Sequence, residues 1–276
     1  MSDYTIPKAI DFDNMSQKAR ASIDWAKGIK QAKIDGCACR IDVTGTIKVA
    51  VSASNKVVKS IDHILDTLPP GHYTLCGEVH DSTKWFQEAS GDFRRQSASP
   101  NLRFTAFDGC IHGEGELPYT ARREHLIRAL PAVDWVISWP CHDLADVTEY
   151  AKALKQEDEG RVFDGAIWRN PDAPFECGRS KGDIIKVKPL LSLDLLCIGA
   201  VLDKGEKTGR DTLSLVLKYK GREQKVSTGL THEQQAFPTQ FIDQIIEVEA
   251  MGLTKGGLLR EPRFKAIRHD KLNPDE

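Results

Sequence analysis

Lys33-Ile34-Asp35-Gly36 places a lysine, an aspartate and a glycine at a fixed spacing near the start of the sequence. Three fixed positions of this kind arise by chance in roughly a few per cent of chains of this length, and a charged surface turn would show the same pattern. A functional role for this stretch is better supported because other short motifs follow it in a consistent order. These are Cys76-Gly77-Glu78, Ala106-Phe107-Asp108-Gly109, Phe163-Asp164-Gly165-Ala166-Ile167, Ile185-Lys186-Val187-Lys188, Arg260-Glu261-Pro262-Arg263-Phe264 and Arg268-His269-Asp270-Lys271.

Composition limits the class of protein. The chain has 276 residues, of which 40% are hydrophobic and 28% charged, as in ordinary globular proteins. The net charge of −2 argues against a histone-like polyanion binder, although a local basic groove remains compatible with it. The first residues lack a signal-peptide pattern, and no apolar run is long enough to span a bilayer. The seven cysteines form no CxxC pair, so we expect reduced thiols in a cytosol.

Hydrophobic and β-branched patterns predict two domains. In the first, we predict helices at 14–32, 57–68, 122–130 and 145–156, and strands at 37–51 (two, turning at Thr44-Gly45), 73–79, 102–107, 163–168 and 184–187. In the second, we predict strands at 194–201, 212–219, 223–228 and 244–249, with a helix at 231–246. Short strands at regular spacing are typical of a small β-barrel, and the OB-fold is the commonest one. We place the boundary near 189–193, which gives domains 1–189 and 190–276.

The motif series as a whole resembles that of the covalent nucleotidyltransferases and, among them, the ATP-dependent DNA ligases. The resemblance covers about residues 25–272, and it extends to Tyr119-Thr120-Ala121-Arg122-Arg123, Cys177-Gly178-Arg179-Ser180 and the glycine-rich stretch 205–229. It implies an α+β fold, with a nucleotidyltransferase (ATP-grasp-like ligase) domain followed by a β-barrel OB-fold domain. The compact form is similar to small phage and bacterial ligases. Common phosphate-loop signatures such as GxxxxGK[ST] and GxGxxG are absent, so a nucleotide would bind by another route.

The resemblance implies that Lys33 attacks the α-phosphate of ATP and becomes lysyl-AMP. A free lysine has a pKa of about 10.4, so attack requires nearby cations or loss of hydration. Lys186 and Lys188 would point to the same side of a strand. In the family such lysines neutralise the α-phosphate, and we expect them to lower the pKa of Lys33. Asp35 is expected to contact ribose, the nick terminus or a metal ion.

Four further residues complete the expected nucleotide and metal site. By resemblance, Glu78 holds the ribose hydroxyls, Phe107 stacks on adenine and Gln31 faces the adenine edge. Asp164 stands where the family usually has Glu, and we expect it, with Glu78, to bind Mg²⁺ or Mn²⁺. An alternative alignment places Glu159-Gly160 at that motif, but Glu159 precedes the apolar strand by too many residues, so Asp164 is preferred.

Two family arginines are missing from this sequence. Ala38 occupies the position of the first, and we expect Arg40 to take over its contact to ribose or to the 5′-phosphate. The second is lost from the stretch 52–56, which leaves Lys56 as a phosphate contact. Arg179 and Arg263 are further candidates for binding DNA phosphates.

Arg268 and Lys271 resemble the last family motif, which orients the pyrophosphate leaving group. This role requires the second domain to swing over ATP and later to turn away and clasp DNA, with a hinge at 189–193.

The sequence therefore predicts a monomeric ATP-dependent DNA ligase that acts on nicked double-stranded DNA, without a membrane, in a bacterial or phage-infected host cytosol. Two alternatives stay open. One is an RNA ligase or an mRNA-capping guanylyltransferase, which share the lysine motif. The other is a nick-binding protein whose catalysis has decayed, suggested by Asp164 and the missing arginines. Because the net charge is near zero, we expect modest, salt-dependent affinity for nicks.

Overall fold

Two units make up the chain. The computed structural model describes residues 4–157, 162–204, 209 and 211–275. Contacts divide the chain into Met1–Pro189 and Leu190–Glu276. Helices and sheets occur in both units, so the predicted α+β class is confirmed. The alternative motif Glu159-Gly160 lies outside the described residues.

The first unit is built on two five-stranded sheets with helices between and after their strands. Its elements are β1 (Ile10–Asp11), α1 (Gln17–Ala21), β2 (Ile29–Ile34), β3 (Cys37–Gly45), β4 (Ile47–Ser52), α2 (Asp62–Thr67), β5 (Gly71–His80), α3 (Phe86–Phe93), β6 (Arg103–Ile111), α4 (Tyr119–Ala129), β7 (Asp134–Trp135), β8 (Ser138–Pro140), α5 (Leu144–Glu157), β9 (Phe163–Arg169) and β10 (Ile184–Val187), with short 3₁₀ helices at Phe12–Asn14 and Trp25–Lys27. One sheet has the strand order β4-β3-β5-β6-β7, and the other has the order β1-β10-β9-β2-β8.

The predicted hairpin at 37–51 is confirmed. β3 and β4 pair in antiparallel fashion and turn at Gly45, whose positive φ of 61° suits a residue without Cβ. β3 also pairs with β5, so that Ile41 lies opposite Leu75 and both are fully buried. Alternate residues of these strands therefore form the core of the first sheet.

Two predicted helices of the first unit are wrong over part of their length. Residues 14–32 contain only the one-turn α1 and two 3₁₀ turns before β2 begins at Ile29. β2 pairs with β8 on one side and β9 on the other, and these hydrogen bonds outweigh the weak helical spacing. Of residues 57–68, only Asp62–Thr67 is α-helical.

The second unit carries one five-stranded antiparallel sheet and one two-stranded sheet. Its elements are β11 (Leu191–Lys204), β12 (Asp211–Tyr219), β13 (Arg222–Val226), α6 (His232–Ala236), a 3₁₀ helix (Pro238–Phe241), β14 (Ile245–Ala250), β15 (Gly252–Leu253), β16 (Leu259–Arg260) and β17 (Arg263–Ile267). The larger sheet has the order β13-β12-β11-β14-β17. Just after β13, Thr228 bridges Arg263 of β17, so backbone pairing joins the two edges of the sheet.

The helix predicted at 231–246 is shorter than expected. α6 ends at Ala236, because Pro238 disfavours a helical conformation in the preceding residue. Ile245 and Ile246 belong to β14, where they pair with β11 and pack into the core beside Phe241. Among the described residues, no helix is long and apolar enough to cross a membrane.

Candidate functional site: a lysine–carboxylate cavity in the first unit

Lys33 lies near the end of β2, at the edge of a cavity of about 250 Å³. The next turn requires Gly36, because a Cβ there would lie 2.7 Å from the carbonyl oxygen of Val79. The backbone of Asp35 is held by a 2.7 Å hydrogen bond that its N–H donates to Val162. The spacing in Lys33-Ile34-Asp35-Gly36 is thus explained by a lysine on a strand end and a glycine at a close backbone approach.

Residues of both sheets line this cavity. The predicted residues Gln31, Lys33, Glu78, Phe107 and Lys186 all contribute to its walls. The remaining lining includes Ile6, Pro7, Lys8, Ala9, Ala38, Ala53, Val136, Ile167, Arg169 and Ile184. The structure therefore brings together residues that lie up to 180 positions apart in the chain, from Ile6 to Lys186.

Asp164 is the centre of the charged end of the site. Its Oδ2 lies 2.9 Å from the Nζ of Lys33 and 2.5 Å from the Nζ of Lys188, and its side chain is 4% exposed. The pairing of β2 with β9 shifts here, so that Lys33 faces Gly165, Ile34 faces Phe163 and Asp164 is left as a bulge. Bulges re-aim side chains at functional sites. The shift turns Asp164 towards the two lysines.

Gly165 is required by the same local geometry. Its φ is +138°, and a Cβ at this position would collide with the carbonyl oxygen of Val187. A glycine therefore lets β9 approach β10 closely enough for Asp164 to meet Lys188.

The pKa of Lys33 is raised, contrary to our expectation that Lys186 and Lys188 would lower it. Burial by itself lowers the pKa of the Lys33 ammonium, but the carboxylates of Asp164, Glu78 and Asp35 outweigh burial. The pKa of Lys188 is lowered instead, by burial and by the charge of Lys33, against the pull of Asp164. Both lysines contact the carboxylate of Asp164, but Lys33 also lies near the carboxylates of Glu78 and Asp35. This difference explains why the two pKa values shift in opposite directions.

Glu78 is a buried carboxyl group beside this cluster. Burial raises its pKa to about 7, and Asp35 and Asp164 add to the rise while Lys33 opposes it. Its Oε2 is buried without a hydrogen-bond partner. An unsatisfied buried oxygen costs free energy unless a ligand or water meets it. Glu78 is therefore poised to contact a group that enters the cavity.

Lys186 lies on β10 and lines the cavity, whereas Lys188 follows the last residue of that strand, and the two lysines contact different partners. The Nζ of Lys186 lies 3.3 Å from Oδ2 of Asp11, on the short strand β1. β1 pairs in parallel with β10 and places Asp11 beside Lys186. The sequence analysis did not identify the N-terminal segment as part of the site, since its two-residue strand carries no periodic signal.

Phe107 also lies at a bulge. The pairing of β5 with β6 passes from Cys76–Asp108 to Gly77–Ala106, which leaves Phe107 unpaired and facing the cavity. A Cβ at Gly77 would collide with the carbonyl oxygen of Thr105. The glycine in Cys76-Gly77-Glu78 thus permits the bulge that presents Phe107.

The side-chain amide of Gln31 takes part in a buried hydrogen-bond network. Its Nε2 donates to the Tyr119 hydroxyl at 2.5 Å and to Ser138 at 3.2 Å, and its Oε1 accepts from Nε of Arg169 at 3.1 Å. The side chain lines the cavity, but its amide has partners on both ends. A contact between the Gln31 amide and the adenine edge therefore stays a prediction that these hydrogen bonds make less favourable.

Asp108 neutralises two buried arginines, Arg122 and Arg169, of which Arg169 lines the cavity. The sequence did not indicate this network. Its oxygens accept from Nη1 of Arg169 at 2.6 Å and from Nη2 of Arg122 at 3.1 Å. Asp108 and Arg122 are each 1% exposed. The guanidinium of Arg169 also lies over the Tyr119 ring, 4.5 Å from its centroid. In the sequence, the network is visible only as an aspartate directly after Phe107 and an arginine at the end of β9. Neither residue indicates which partner it pairs with.

The predicted DNA contacts of this unit are dispersed. Arg40 is 5% exposed, pairs with Asp42 at 2.9 Å and donates to the carbonyl of Tyr4. It lines a smaller cavity of about 200 Å³ beside the Lys33 cavity, with Lys8. Its contact with ribose therefore stays a prediction that this ion pair makes less favourable. Lys56 is exposed on the turn after β4, and Arg179 bridges Lys8 through the backbone.

In the second unit, Arg268 and Lys271 converge on a buried carboxylate. Nη1 of Arg268 lies 3.2 Å from both oxygens of Asp194, and Lys271 forms an ion pair with Oδ2 of the same residue. Arg268 also makes a two-pronged pair with Asp270, at 2.9 and 2.8 Å. The predicted Arg263 is exposed on β17. Sequence reasoning did not identify Asp194, which lies 74 residues from Arg268.

The carboxylates of Asp164 and Glu78 fit a divalent cation whose remaining ligands come from substrate and water. Among the described residues there is no group of three or more His, Cys, Asp or Glu side chains that could enclose a metal ion. Mg²⁺ is commonly held by one or two carboxylates together with substrate phosphates and water. Asp164 and the unpartnered Oε2 of Glu78 supply that kind of donor set.

Comparisons with known proteins show what the sequence and the fold are similar to. A family model described as "DNA ligase OB-like domain" matches residues 204–268. The chain is 25% identical to a DNA ligase of Haloferax volcanii, with 90% of this chain and 51% of that protein covered. It is 28% identical to a probable DNA ligase of Anaeromyxobacter dehalogenans, with 92% and 57% covered. The chain thus spans little more than half the length of these relatives.

Solved structures show the same fold. A Lig E DNA ligase, from work on DNA binding with a minimal scaffold, superposes with a TM-score of 0.75 at 19% identity, covering 97% of this chain and 100% of that one. Mycobacterial DNA ligase D, complexed with ATP and MES, superposes with a TM-score of 0.54 at 19% identity, covering 97% of this chain and 96% of that one.

The fold is that of the ATP-dependent DNA ligases, a nucleotidyltransferase domain followed by an OB-like domain. Within that class, the sequence and the structure are similar to archaeal and bacterial DNA ligases, and the superposition covers the whole of the Lig E chain.

Proposed function

We propose that this protein is an ATP-dependent DNA ligase that seals nicks with a 3′-hydroxyl and a 5′-phosphate in duplex DNA. The observation that carries the proposal is the position of Lys33 in the lining of a cavity of about 250 Å³, with Asp164 in contact with its ammonium group and Glu78 and Lys188 nearby. The similarity to named DNA ligases supports it. We assign 1–189 as the adenylation domain and 190–276 as the OB-fold domain.

In the first step, Nζ of Lys33 attacks the α-phosphorus of ATP. An N–P bond forms, the bond to the bridging oxygen breaks and pyrophosphate leaves. Lys33 must lose a proton before it attacks, and the carboxylate in contact with it is Asp164, 2.9 Å away. Lys186 and Lys188 neutralise the phosphate oxygens, and Arg268 and Lys271 orient the pyrophosphate. When bound by Asp164 and Glu78, Mg²⁺ or Mn²⁺ supplies electrostatic stabilisation of the transferring phosphoryl group.

The nucleoside part of ATP lies at the other end of the cavity. Phe107, presented by its bulge, stacks on adenine beside Ile167 and Val136. Glu78 accepts hydrogen bonds from the ribose hydroxyls, and Asp35 lies next to them.

Two further steps complete sealing. The 5′-phosphate at the nick displaces Lys33 from AMP to give DNA-adenylate, and the 3′-hydroxyl then attacks that phosphate and releases AMP. Arg40, Lys56, Arg179 and Arg263 are proposed to meet DNA phosphates. We propose that the protein works as a monomer in the cytosol of a bacterium or of a phage-infected host.

Covalent labelling tests the proposal. The protein is incubated with α-labelled ATP and Mg²⁺, and the labelled protein is then chased with a nicked duplex. We expect label that stays on the denatured protein, is absent from Lys33→Ala and disappears on the chase as the nick is sealed. Lys30→Ala is the matched control, because Lys30 lies on the same strand but pairs with Asp146 at 2.8 Å. Label that survives Lys33→Ala would contradict the mechanism.

The same assay separates the alternatives. Preferential labelling by GTP would favour a capping guanylyltransferase, and sealing of single-stranded RNA but not of nicked DNA would favour an RNA ligase. Nick binding without labelling at any metal concentration would favour a decayed nick-binding protein.

A further inference from the structure

Asp11 contacts one of the proposed phosphate-binding lysines, but none of the steps derived above uses it. Its Oδ2 lies 3.3 Å from Nζ of Lys186, and the side chains of the two residues are 27% and 29% exposed. β1 pairs in parallel with β10, and Asp11 and Lys186 lie opposite each other in that pairing. Side chains at opposed positions of adjacent strands lie on the same face of a sheet. The backbone register therefore brings the two charges together.

The other oxygen of the Asp11 carboxylate is held by the backbone. Oδ1 accepts a hydrogen bond of 3.2 Å from the N–H of Asp13 and so caps the 3₁₀ helix Phe12–Asn14. A side chain that caps a turn in this way loses much of its freedom to rotate. The position of Oδ2 beside Lys186 is therefore set by the turn as well as by the ion pair.

The segment that carries Asp11 is anchored on both sides of this residue. After it, Phe12 packs against the buried core of the second sheet and meets the ring of Trp25 edge to face, with the centroids 5.8 Å apart. Before it, the N–H of Lys8 donates to residue 178 at 2.6 Å, and the carbonyl of Lys8 accepts from residue 180 at 2.9 Å. The carboxylate is thus attached to a fixed backbone.

Lys186 gains a defined position from this arrangement. A lysine has a long, flexible side chain and loses much of its rotational freedom when a ligand fixes its ammonium group. Asp11 restricts that side chain before any ligand binds, beside a cavity that Lys186 itself lines. Since an ion pair at this degree of exposure is weak, an entering phosphate can replace Asp11 as the partner of the ammonium group.

We propose that Asp11 is a positioning residue for nucleotide binding. It holds the ammonium group of Lys186 at the edge of the cavity until the α-phosphate of ATP takes its place. The proposal rests on the proposed function, because Lys186 meets the α-phosphate there, and it adds a residue of the N-terminal segment to the site. Asp11 itself contacts neither ATP nor the reacting atoms, and it acts through Lys186.

A double-mutant cycle over Asp11 and Lys186 tests this role. Asp11→Asn suits the purpose, because the new side-chain amide keeps an oxygen for the cap but loses the negative charge. The set consists of Asp11→Asn, Lys186→Gln and the variant with both changes. Asp13→Asn is the matched control, since Asp13 is an exposed aspartate two residues further along the same segment.

Two quantities are measured for each protein. The first is the second-order rate constant for labelling by α-labelled ATP at low ATP concentration. The second is the affinity for α,β-methylene ATP, determined by calorimetry. This analogue binds without transferring its AMP group, so its affinity does not depend on the chemical step.

We expect Asp11→Asn to lower both quantities by about twofold to fivefold, the size of one partly exposed ion pair. In the Lys186→Gln background the same change should have no effect, because the ammonium group that Asp11 positions is absent. Asp11→Glu keeps the charge but caps the turn poorly, so it should exceed Asp11→Asn in both quantities. Asp13→Asn should match the wild type.

Several results would overturn the proposal. An equal effect of Asp11→Asn with and without Lys186 would assign Asp11 to the fold alone, and so would a poorer result for Asp11→Glu than for Asp11→Asn. Faster labelling or tighter binding in Asp11→Asn would show that Asp11 competes with the phosphate for Lys186.

Failure of the ligase function gives a different result. If the wild type takes no label but Asp11→Asn weakens analogue binding only while Lys186 is present, the proposed function is wrong and the positioning role in nucleotide binding stands. If the wild type labels and seals nicks while Asp11→Asn matches it in both quantities, the function stands and the positioning role is wrong. A wild type that neither labels nor binds the analogue would overturn both.

Discussion

The carboxylate of Asp164 lies between two ammonium groups, 2.9 Å from Lys33 and 2.5 Å from Lys188, at a position only 4% exposed. Three residues from three segments of the chain therefore share one negative charge at the mouth of the cavity. Burial tends to raise the pKa of Asp164, but the two lysines lower it, so the group is ionised. This arrangement has consequences for both catalysis and stability.

Asp164→Asn should reduce lysyl-AMP formation by about 100-fold or more, because both lysines lose the group that positions them and the proposed metal site loses a carboxylate. Asp164→Glu keeps the charge and should retain more activity than Asp164→Asn. Single-turnover labelling with α-labelled ATP measures both. Asp172→Asn, on an exposed loop, is the control and should behave like the wild type. Equal activities of the Asn and Glu variants would contradict a role for the charge.

The rate of lysyl-AMP formation should rise with pH from about pH 6 to about pH 10. The pKa of Lys33 is raised by its carboxylate neighbours, so the reactive neutral amine becomes commoner only in the alkaline range. Rapid-quench labelling over this range is the measurement. Sealing of a pre-adenylated nick does not need the Lys33 amine and serves as the control for enzyme integrity. A rate of labelling that is constant over the range would show that Lys33 deprotonation is not limiting.

Glu78 should make the protein less stable as pH rises from about 4.5 to about 7. Its pKa is raised from 4.5 to about 7 by burial, so the folded state binds the proton more tightly than the unfolded state. Its contribution is fully present below the unfolded pKa and is lost as pH rises through the folded value. The total is on the order of 3 kcal/mol, since one pKa unit is about 1.4 kcal/mol.

Urea unfolding at the two ends of this pH window measures that contribution. Glu78→Gln should remove this part of the pH dependence, whereas Glu116→Gln, at an exposed position, should leave it in place. An identical pH dependence in the wild type and Glu78→Gln would show that burial does not shift the titration of the Glu78 carboxyl.

Asp108→Asn should lower the free energy of unfolding by about 3–5 kcal/mol, because it leaves the buried guanidinium groups of Arg122 and Arg169 without their counter-charge. Thermal unfolding followed by circular dichroism should show a drop of roughly 10 °C. Asp134→Asn, at an exposed position on β7, is the comparison and should change the melting temperature little. A melting temperature equal to that of the wild type in Asp108→Asn would contradict the network.

Asp194→Ala should slow lysine adenylation by about tenfold to 100-fold, because Arg268 and Lys271 lose the buried carboxylate that holds them together. Sealing of a pre-adenylated nick does not release pyrophosphate and should be unaffected. Glu233→Gln, an exposed carboxylate on α6, is the control. If Asp194→Ala slowed both reactions equally, its role would be to maintain the fold rather than to position the two cations.

The short motifs of the sequence predicted much of the candidate site. Lys33, Glu78, Phe107 and Lys186 line one cavity, and Asp164 contacts Lys33 at its charged end. These motifs are recognisable because each contains a glycine, at 36, 77 or 165, where a Cβ would collide with a neighbouring backbone. The glycine therefore recurs at a fixed place in the motif. The β3–β4 hairpin was predictable for the same reason, since alternation and a turn glycine are local properties.

Only the tertiary structure decided how those motifs act on one another. Asp164 and Phe107 reach the cavity because strand pairing shifts at each of them, and a shift in register depends on the partner strand. Three further properties likewise depend on charged groups that are distant in the sequence. They are the raised pKa of Lys33, the hydrogen bond between the Gln31 amide and Arg169, and the pairing of Asp194 with Arg268. The sequence by itself determined which groups are present, and folding determined their charge states and partners, because electrostatic and hydrogen-bond energies depend on distance and burial.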